Sequence, residues 1–407
     1  MELSARLESA GAVLIEGPKA CGKTELARQV AASEVLLDID ENARRATAIE
    51  PALVLAGETP RLIDEWQVEP AIWNHIRRTV DERNDRGQFV LTGSAAPADD
   101  VTRHTGAGRI SRLRLRTMSL AETGHSTREV SIASLLQGCF EGCGAPPSKL
   151  SDLTVQLCRG GWPGDLDLAD RACLRSRIDY LEEIRRVDIS RADGVRRDAD
   201  NVGRVLRSLA RNLSTPVSAR TIAADAGGDS GPLDPDTVRS YLDALRRLMI
   251  CEEQPAWSPK LRSRSRLRQS PKRHFVDPSL AVAALGATPE RLLEDLEYLG
   301  FLFESLVYRD LTIYSRTCDA DVYHYRDNTN LEIDAVVENR RGDWCAFEVK
   351  LGVGQVDSAA ESLLKFRERM DLKAAGEPKV LGVIVSSGYG YTRDDGIAVM
   401  PITALGP

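Results

Sequence analysis

The run Gly17-Pro18-Lys19-Ala20-Cys21-Gly22-Lys23-Thr24 constrains this chain most, because it places G-x-x-x-x-G-K-[ST] directly after the apolar stretch Ala12-Val13-Leu14-Ile15. A strand, a glycine loop and then a helix, here from Glu25 to Ala31, lets backbone N–H groups and a helix start converge on phosphate oxygens. In that arrangement Lys23 sits on β/γ-phosphates and the Thr24 hydroxyl on Mg²⁺. Gly17, Pro18, Lys19, Ala20, Cys21, Gly22, Lys23 and Thr24 are therefore the candidate nucleotide-binding set.

Downstream, Arg61-Leu62-Ile63-Asp64-Glu65 reads as a short apolar strand ending in two carboxylates. Asp64 is expected to hold Mg²⁺ through water, and Glu65 to orient or deprotonate the attacking water. Such a pair could equally cap the helix beginning near Glu69, and the phosphate loop upstream reverses that preference. Val35 to Ile39 is a further strand candidate, so the carboxylate strand need not be the next in sequence after the loop. Gln88 to Thr92 is another, ending in Gly93-Ser94. There Thr92 and Ser94 are candidates to contact the γ-phosphate or the water, with ordinary turn residues as the alternative.

At 407 residues the chain calls for more than one domain. Its 42% apolar and 28% charged residues are those of soluble globular proteins. No uninterrupted apolar run reaches membrane-spanning length, and Met1 to Arg6 lacks a basic region followed by an apolar one. Neither a membrane span nor a secretory signal is expected. The 8 cysteines are scattered, and Cys139 and Cys143 lack a neighbouring Cys or His pair, which argues against zinc. Reduced thiols in a cytoplasm fit better. A net charge of −7 argues against indiscriminate coating of nucleic acid but not against a local basic surface.

Four segments follow from the patterning: an α/β core over 1–120, a helical region over 121–215, a winged-helix outline over 216–290 and a second α/β unit over 291–407. Arginines cluster at the end of the first, with Arg112, Arg114 and Arg116 spaced by two. Arg109, after Gly106-Ala107-Gly108, is the candidate to reach a neighbouring subunit's γ-phosphate. The alternative is a set of solvated arginines on an edge strand. In the third segment a short helix (Ser218 to Ala226) precedes a capped helix from Asp236, with Val238, Tyr241, Leu242, Leu245 and Leu248 on one face. A strand near Ile250 and the basic segment Lys260 to Arg273 follow. If extended, that segment aligns Lys260, Arg262, Arg264, Arg266 and Arg268 on one face, a candidate contact to a DNA backbone. A basic loop that is disordered, or docks on an acidic surface of the same protein, is the alternative.

In the last segment, Leu331 to Val337 alternates toward a strand and Trp344 to Leu351 is another. A three-residue loop, Arg340 to Gly342, would need positive φ at Gly342 and would set Asp334 opposite Glu348. Lys350 shares that face. An Asp, a Glu and a Lys together are the chemistry of metal-dependent phosphodiester cleavage, with Asp334 and Glu348 on Mg²⁺ and Lys350 stabilising hydroxide or developing charge. Glu304, on the helix Leu296 to Leu311 and in a stripe with Gly300, Phe301, Tyr308 and Leu311, is expected to join them. A carboxylate on an apolar face needs a partner or a metal. The alternative is a solvated sheet face carrying an ordinary Lys/Glu pair.

Together these residues resemble a large bacterial and archaeal family of uncharacterised ATP-binding proteins. Its members join an AAA-type P-loop ATPase to a winged helix and a C-terminal domain related to PD-(D/E)XK nucleases, of restriction-endonuclease-like α/β fold. The resemblance is carried by Gly17 to Thr24, Leu62 to Glu65 with Gln67, Leu91 to Ser94, Gly108-Arg109, Gly161-Trp162-Pro163 and Phe275-Val276-Asp277. It continues through Leu302 to Glu304, Arg326, Glu332 to Asp334 and Phe347 to Lys350. It implies ATP rather than GTP and a preference for Ser94 over Thr92; AAA-type ATPases often act as rings, so a homo-oligomer is compatible with it, and the oligomeric state stays open. Trp66 departs from it, where an aliphatic residue is usual.

The reading is a cytoplasmic ATPase in which Lys23, Thr24, Asp64 and Glu65 run phosphoryl transfer. It controls a DNA-directed C-terminal module, a Mg²⁺-dependent nuclease if Glu304, Asp334, Glu348 and Lys350 cut. The rival is a nucleotide-dependent switch whose C-terminal domain recognises DNA or a protein without cleavage. A third reading makes that domain purely structural.

Overall fold

The computed structural model describes residues 2–93, 106–144, 149–192, 194–228, 231–259 and 270–407. Ser94 and the basic residues Lys260, Arg262, Arg264, Arg266 and Arg268 lie outside the described residues.

Continuous apolar runs build the N-terminal unit. Strands β1 (Ala12–Glu16), β2 (Ser33–Leu36), β3 (Arg61–Asp64), β4 (Phe89–Gly93) and β5 (Ile110–Arg114) form one sheet in the order β2-β3-β4-β1-β5. Every pairing in it is parallel. A parallel sheet needs both faces covered, and successive residues go to opposite faces. Ala12, Leu14, Ile63, Phe89 and Leu91 pack with Trp66 and Trp73 on one side. Val13, Ile15, Leu62, Val90 and Leu113 pack with Leu3, Leu7 and Ala27 on the other. The strand expected over Val35 to Ile39 is shorter, at Ser33–Leu36, because Asp38 to Asp40 turn into the helix Glu41–Ile49, which Asp40 caps. β4 stands between β1 and the carboxylate strand β3.

Two-residue strands β6 (Val130–Ser131) and β7 (Cys143–Gly144) precede the helices Leu150–Arg159, Asp170–Glu183 and Ala199–Arg211. The second of these runs into a π-helical turn, Ile184–Asp188. Helices Ala219–Asp225 and Pro235–Arg247 come next. The latter starts one residue before the expected Asp236, because the Asp234 side chain caps Thr237 N and Pro235 suits the first helical position. Then β8 (Cys251–Gln254) pairs antiparallel with β9 (Lys272–Phe275). This ribbon is fastened to the N-terminal sheet: Glu252, buried on β8, takes Arg114 at 2.9 Å and Arg116 at 3.0 Å, the two arginines that leave the end of β5. Of the arginines for which a solvated edge row was the alternative, Arg114 and Arg116 are instead ion-paired at this junction, and Arg112 pairs with Glu16.

The C-terminal unit contributes β10 (Ala320–Arg326), β11 (Glu332–Asn339), β12 (Trp344–Lys350), β13 (Val380–Val385), β14 (Tyr389–Thr392) and β15 (Ala398–Pro401). With β7 they make a mixed seven-stranded sheet in the order β10-β11-β12-β13-β15-β14-β7. A last short strand, β16 (Leu405–Gly406), pairs with β6. Gly342 turns the β11–β12 hairpin with φ 84°, and the register Ala335 opposite Phe347 carries Asp334 across from Glu348. The long helix Leu296–Ser315 packs on this sheet.

One buried carboxylate ties four segments together. Asp277 Oδ2 accepts from Thr117 Oγ1 (2.8 Å), Gly161 N (2.9 Å) and Arg309 Nη1 (2.9 Å), while Oδ1 accepts from Ser279 N (3.0 Å). Arg309 also grips Asp310, whose Oδ2 receives Leu120 N. A Cβ on Gly161 would stand 1.9 Å from Met118 O, so only glycine fits beside this junction.

Candidate functional site

At the C-terminal end of β1 the chain leaves the sheet through the phosphate loop. Gly22, at φ 96°, starts the helix Lys23–Arg28 in a left-handed conformation. Gly17 is equally demanding: a Cβ there would meet Leu115 O at 2.5 Å and Cys21 Sγ at 2.8 Å. Buried Lys23 donates to the carbonyls of Gly17 (3.1 Å) and Pro18 (2.8 Å), and burial holds its pKa below the ordinary lysine value. Its ammonium is thus kept inside the loop, close to where phosphates would lie. Burial pushes the Cys21 thiol up, so that residue serves packing rather than nucleophilic chemistry.

β3 and β4 deliver the polar groups. Asp64 Oδ1 accepts from Thr24 Oγ1 at 3.0 Å and, in a shorter contact, from Thr92 Oγ1. Glu65 follows in a left-handed conformation, φ 50°, which turns it off the strand; Gln67 Nε2 donates to its carboxylate. Burial raises the Glu65 pKa above the ordinary glutamate value, the Gln67 hydrogen bond opposing it. A half-buried carboxylate with raised proton affinity suits a general base. A hydroxyl and a carboxylate are hard oxygen donors, and the Thr24–Asp64 pair fits Mg²⁺.

Lys23, Thr24, Glu65 and Gln67 line a cavity of about 870 Å³ that also includes Lys19, Pro163, Asp188 and Arg191. Its size lies within the usual range for small-molecule sites. The last three come from the helical region, and sequence reasoning gave them no role. Lys19 Nζ pairs with Asp188 Oδ1 at 2.6 Å, and Tyr180 OH donates to Lys19 O at 3.3 Å. Arg191 is exposed and has no ion-pair partner among the described residues. An arginine-rich amphipathic helix gives no sequence signal as to which residue crosses to a distant loop; the π-helical turn ending at Asp188 is visible only in three dimensions.

Arg109 lies elsewhere. Its carbonyl receives Ala12 N, level with the start of β1 and at the opposite end of the sheet from the phosphate loop, and its side chain pairs with Asp81 at 2.8 Å.

A second group forms where the ribbon, the helix Leu296–Ser315 and the β11–β12 hairpin meet. Glu304, Asp334, Glu348 and Lys350 are brought together there, beside a cavity of about 550 Å³. Asp334 Oδ2 accepts from Val349 N at 2.9 Å; Lys350 Nζ lies 2.6 Å from Glu348 and 3.4 Å from Asp334. Sequence reasoning missed Lys272 on β9, whose Nζ lies 2.7 Å from Glu304, 2.7 Å from Glu332 and 3.4 Å from Asp334. Burial works against this ammonium, but Glu304, Asp334 and Glu332 outweigh it and keep it charged. Burial, with Asp334 and Glu332 adding to it, outweighs the opposing Lys272 and pushes the Glu304 pKa up to about 8. The local pattern was ambiguous: Lys272 shares a strand face with His274 and Val276, but the other face carries Phe275, so alternation alone does not say which face is inward.

These residues do not fit a metal ion as they stand, because the carboxylate oxygens are engaged by two lysines. Among the described residues no group of three or more His, Cys, Asp and Glu is arranged to hold one.

Residues 9–124 match the family described as an AAA domain, residues 150–291 a domain of unknown function (DUF8612) and residues 299–405 another (DUF4143). Uncharacterised proteins of Mycobacterium tuberculosis and Mycobacterium bovis are each 27% identical over 348 residues, covering 84% of this chain and 71% of theirs. Among solved structures, a Walker-type ATPase of Pyrococcus abyssi aligns with a TM-score of 0.41 and 12% identity, over 70% of this chain and 93% of that one. Residues 9–124 are thus similar to AAA domains, and the phosphate loop Gly17 to Thr24 lies within them. No described helix is long and apolar enough to cross a membrane.

Proposed function

We propose that this chain binds and hydrolyses ATP in the cavity beside the phosphate loop and passes its nucleotide state to the C-terminal unit, as a switch. The observation that carries the reading is the meeting of Lys23, Thr24 and Glu65 around one cavity, with Asp64 hydrogen-bonded to Thr24 behind it, within a region matching an AAA domain. Mg²⁺, when bound, would neutralise phosphate charge, and Thr24 and Asp64 are the residues to hold it. Lys23 exchanges the loop carbonyls for phosphate oxygens. Glu65 orients a water and takes its proton. Thr92 holds Asp64 in place from the neighbouring strand.

Glu65→Gln tests this reading. The variant is expected to bind ATP with wild-type affinity while phosphate release falls about a hundredfold or more. Turnover unchanged in Glu65→Gln would overturn the role given to this residue.

The switch is preferred to a nuclease because Lys272 stands among the carboxylates that cleavage would require. DNA contact through Lys260, Arg262, Arg264, Arg266 and Arg268 rests on their charge and spacing alone, and homo-oligomer formation on the family resemblance.

A further inference from the structure

We propose that Asp188, carried by the helical region, is a built-in competitor for the phosphate loop: it holds Lys19 until nucleotide phosphates take that lysine from it. The inference rests on the ATP-binding reading above and deepens it, because nucleotide affinity then depends on a residue outside the N-terminal unit.

The two residues form an ion pair of 2.6 Å, and both line the nucleotide cavity. Toward an arriving triphosphate their charges act oppositely, since phosphate oxygens attract the Lys19 ammonium and repel the Asp188 carboxylate. The lysine side chain is 45% exposed and the aspartate side chain 5%, so the lysine, on its flexible four-carbon stem, is the member that can turn. Asp188 closes the π-helical turn Ile184–Asp188, where one inserted residue shifts the helical phase by about 100°. Its carbonyl is held by Ala192 N at 3.0 Å. The main chain of Lys19 is held as well: Tyr180 OH donates to its carbonyl, and Pro163 Cγ stands 3.5 Å from where a Cβ on Gly22 would lie. With both backbones fixed, a change of partner by the Lys19 side chain is the local response left to this contact.

Once Lys19 turns to phosphate, Asp188 is a buried carboxylate without its cation, an unfavourable state. Nucleotide binding then carries a cost that Asp188 imposes, and removing the carboxylate should strengthen binding. A clasp with only a structural role predicts the opposite sign, because a loosened loop binds nucleotide more weakly or no better.

Calorimetric titration of the full chain with ATPγS and Mg²⁺ reads this sign. Asp188→Asn is expected to bind at least about threefold more tightly than wild type and Lys19→Met at least about threefold more weakly, the scale of an ion pair with one exposed member. Adding Asp188→Asn to Lys19→Met should change nothing, because the carboxylate acts through the lysine. Unchanged or weaker binding in a folded Asp188→Asn overturns the proposal. Equal strengthening in the Lys19→Met background overturns it too, since the carboxylate would then act on phosphate directly. Should Asp188→Asn fail to fold, Lys19→Met decides: weaker binding supports the exchange of partners, and wild-type affinity overturns it. A wild type that binds no ATPγS would overturn the ATP-binding reading itself, an outcome distinct from a wild type that binds while Asp188→Asn brings no gain.

Discussion

Lys23→Ala is expected to abolish ATP binding and, with it, turnover. In the wild type the ammonium is buried and satisfied by the Gly17 and Pro18 carbonyls, so it is already positioned where phosphate charge would arrive. An acceptor pair of neutral carbonyls is easily exchanged for phosphate oxygens, which charge-assisted bonding favours. Alanine removes the buried cation of the loop, and Lys19, exposed and paired with Asp188, does not replace it. Loss of one positioned donor to developing charge costs on the order of 10²–10³ in rate, and the lost ground-state contact adds to it. Titration with a fluorescent ATP analogue and a phosphate-release assay check both parts; wild-type turnover in this variant would sink the nucleotide assignment. The fold should survive, since the carbonyls left behind face the cavity and water can reach them.

Asp277→Ala should be the most destabilising single change described here. It strips Arg309 of one buried partner and leaves Thr117 Oγ1, Gly161 N and Ser279 N without an acceptor. Breaking a buried pair from one side costs about 3–5 kcal/mol, because the remaining charge stays desolvated. Burial raises the Asp277 pKa, but Arg309 and the hydrogen bonds from Ser279 and Gly161 outweigh it and hold the carboxyl below its usual value. A depressed carboxylate contributes stability that is full above its unfolded pKa, near 4, and is lost as pH falls through the folded value. The gap between wild type and variant should therefore be full at neutral pH and narrow in acid. Denaturant midpoints at pH 7 and pH 3 measure it, and an equal midpoint at pH 7 would contradict this account.

Local patterning carried much of the architecture. The apolar runs at Ala12, Leu62 and Phe89 had to be strands buried on both faces, and the loop after Ile15 admits few conformations. The β11–β12 hairpin was legible because a three-residue loop with glycine last fixes register, and register fixes Asp334 against Glu348. What sequence could not supply was long-range pairing. Asp188 reaches Lys19 across 169 residues and Lys272 reaches Asp334 across 62, and nothing local to either residue encodes its partner. Lys272 was further concealed by its neighbours, since a lysine at the end of a basic segment looks like one more solvated charge. Glu304 showed the reverse: its apolar stripe announced a required partner, but not that the partner would be a lysine rather than a metal.

Glu252 has a thermodynamic consequence. It joins Arg114 and Arg116, flanking the residue against which Gly17 packs, to the same ribbon that carries Lys272. Two ligands that each favour a different seating of one shared element must influence each other by equal factors. If nucleotide and a second ligand each favour the same seating of this ribbon, a tenfold gain in either affinity obliges a tenfold gain in the other. The ribbon would then make each ligand a reporter on the other, and neither affinity would be a constant of this protein without stating whether the second ligand is there.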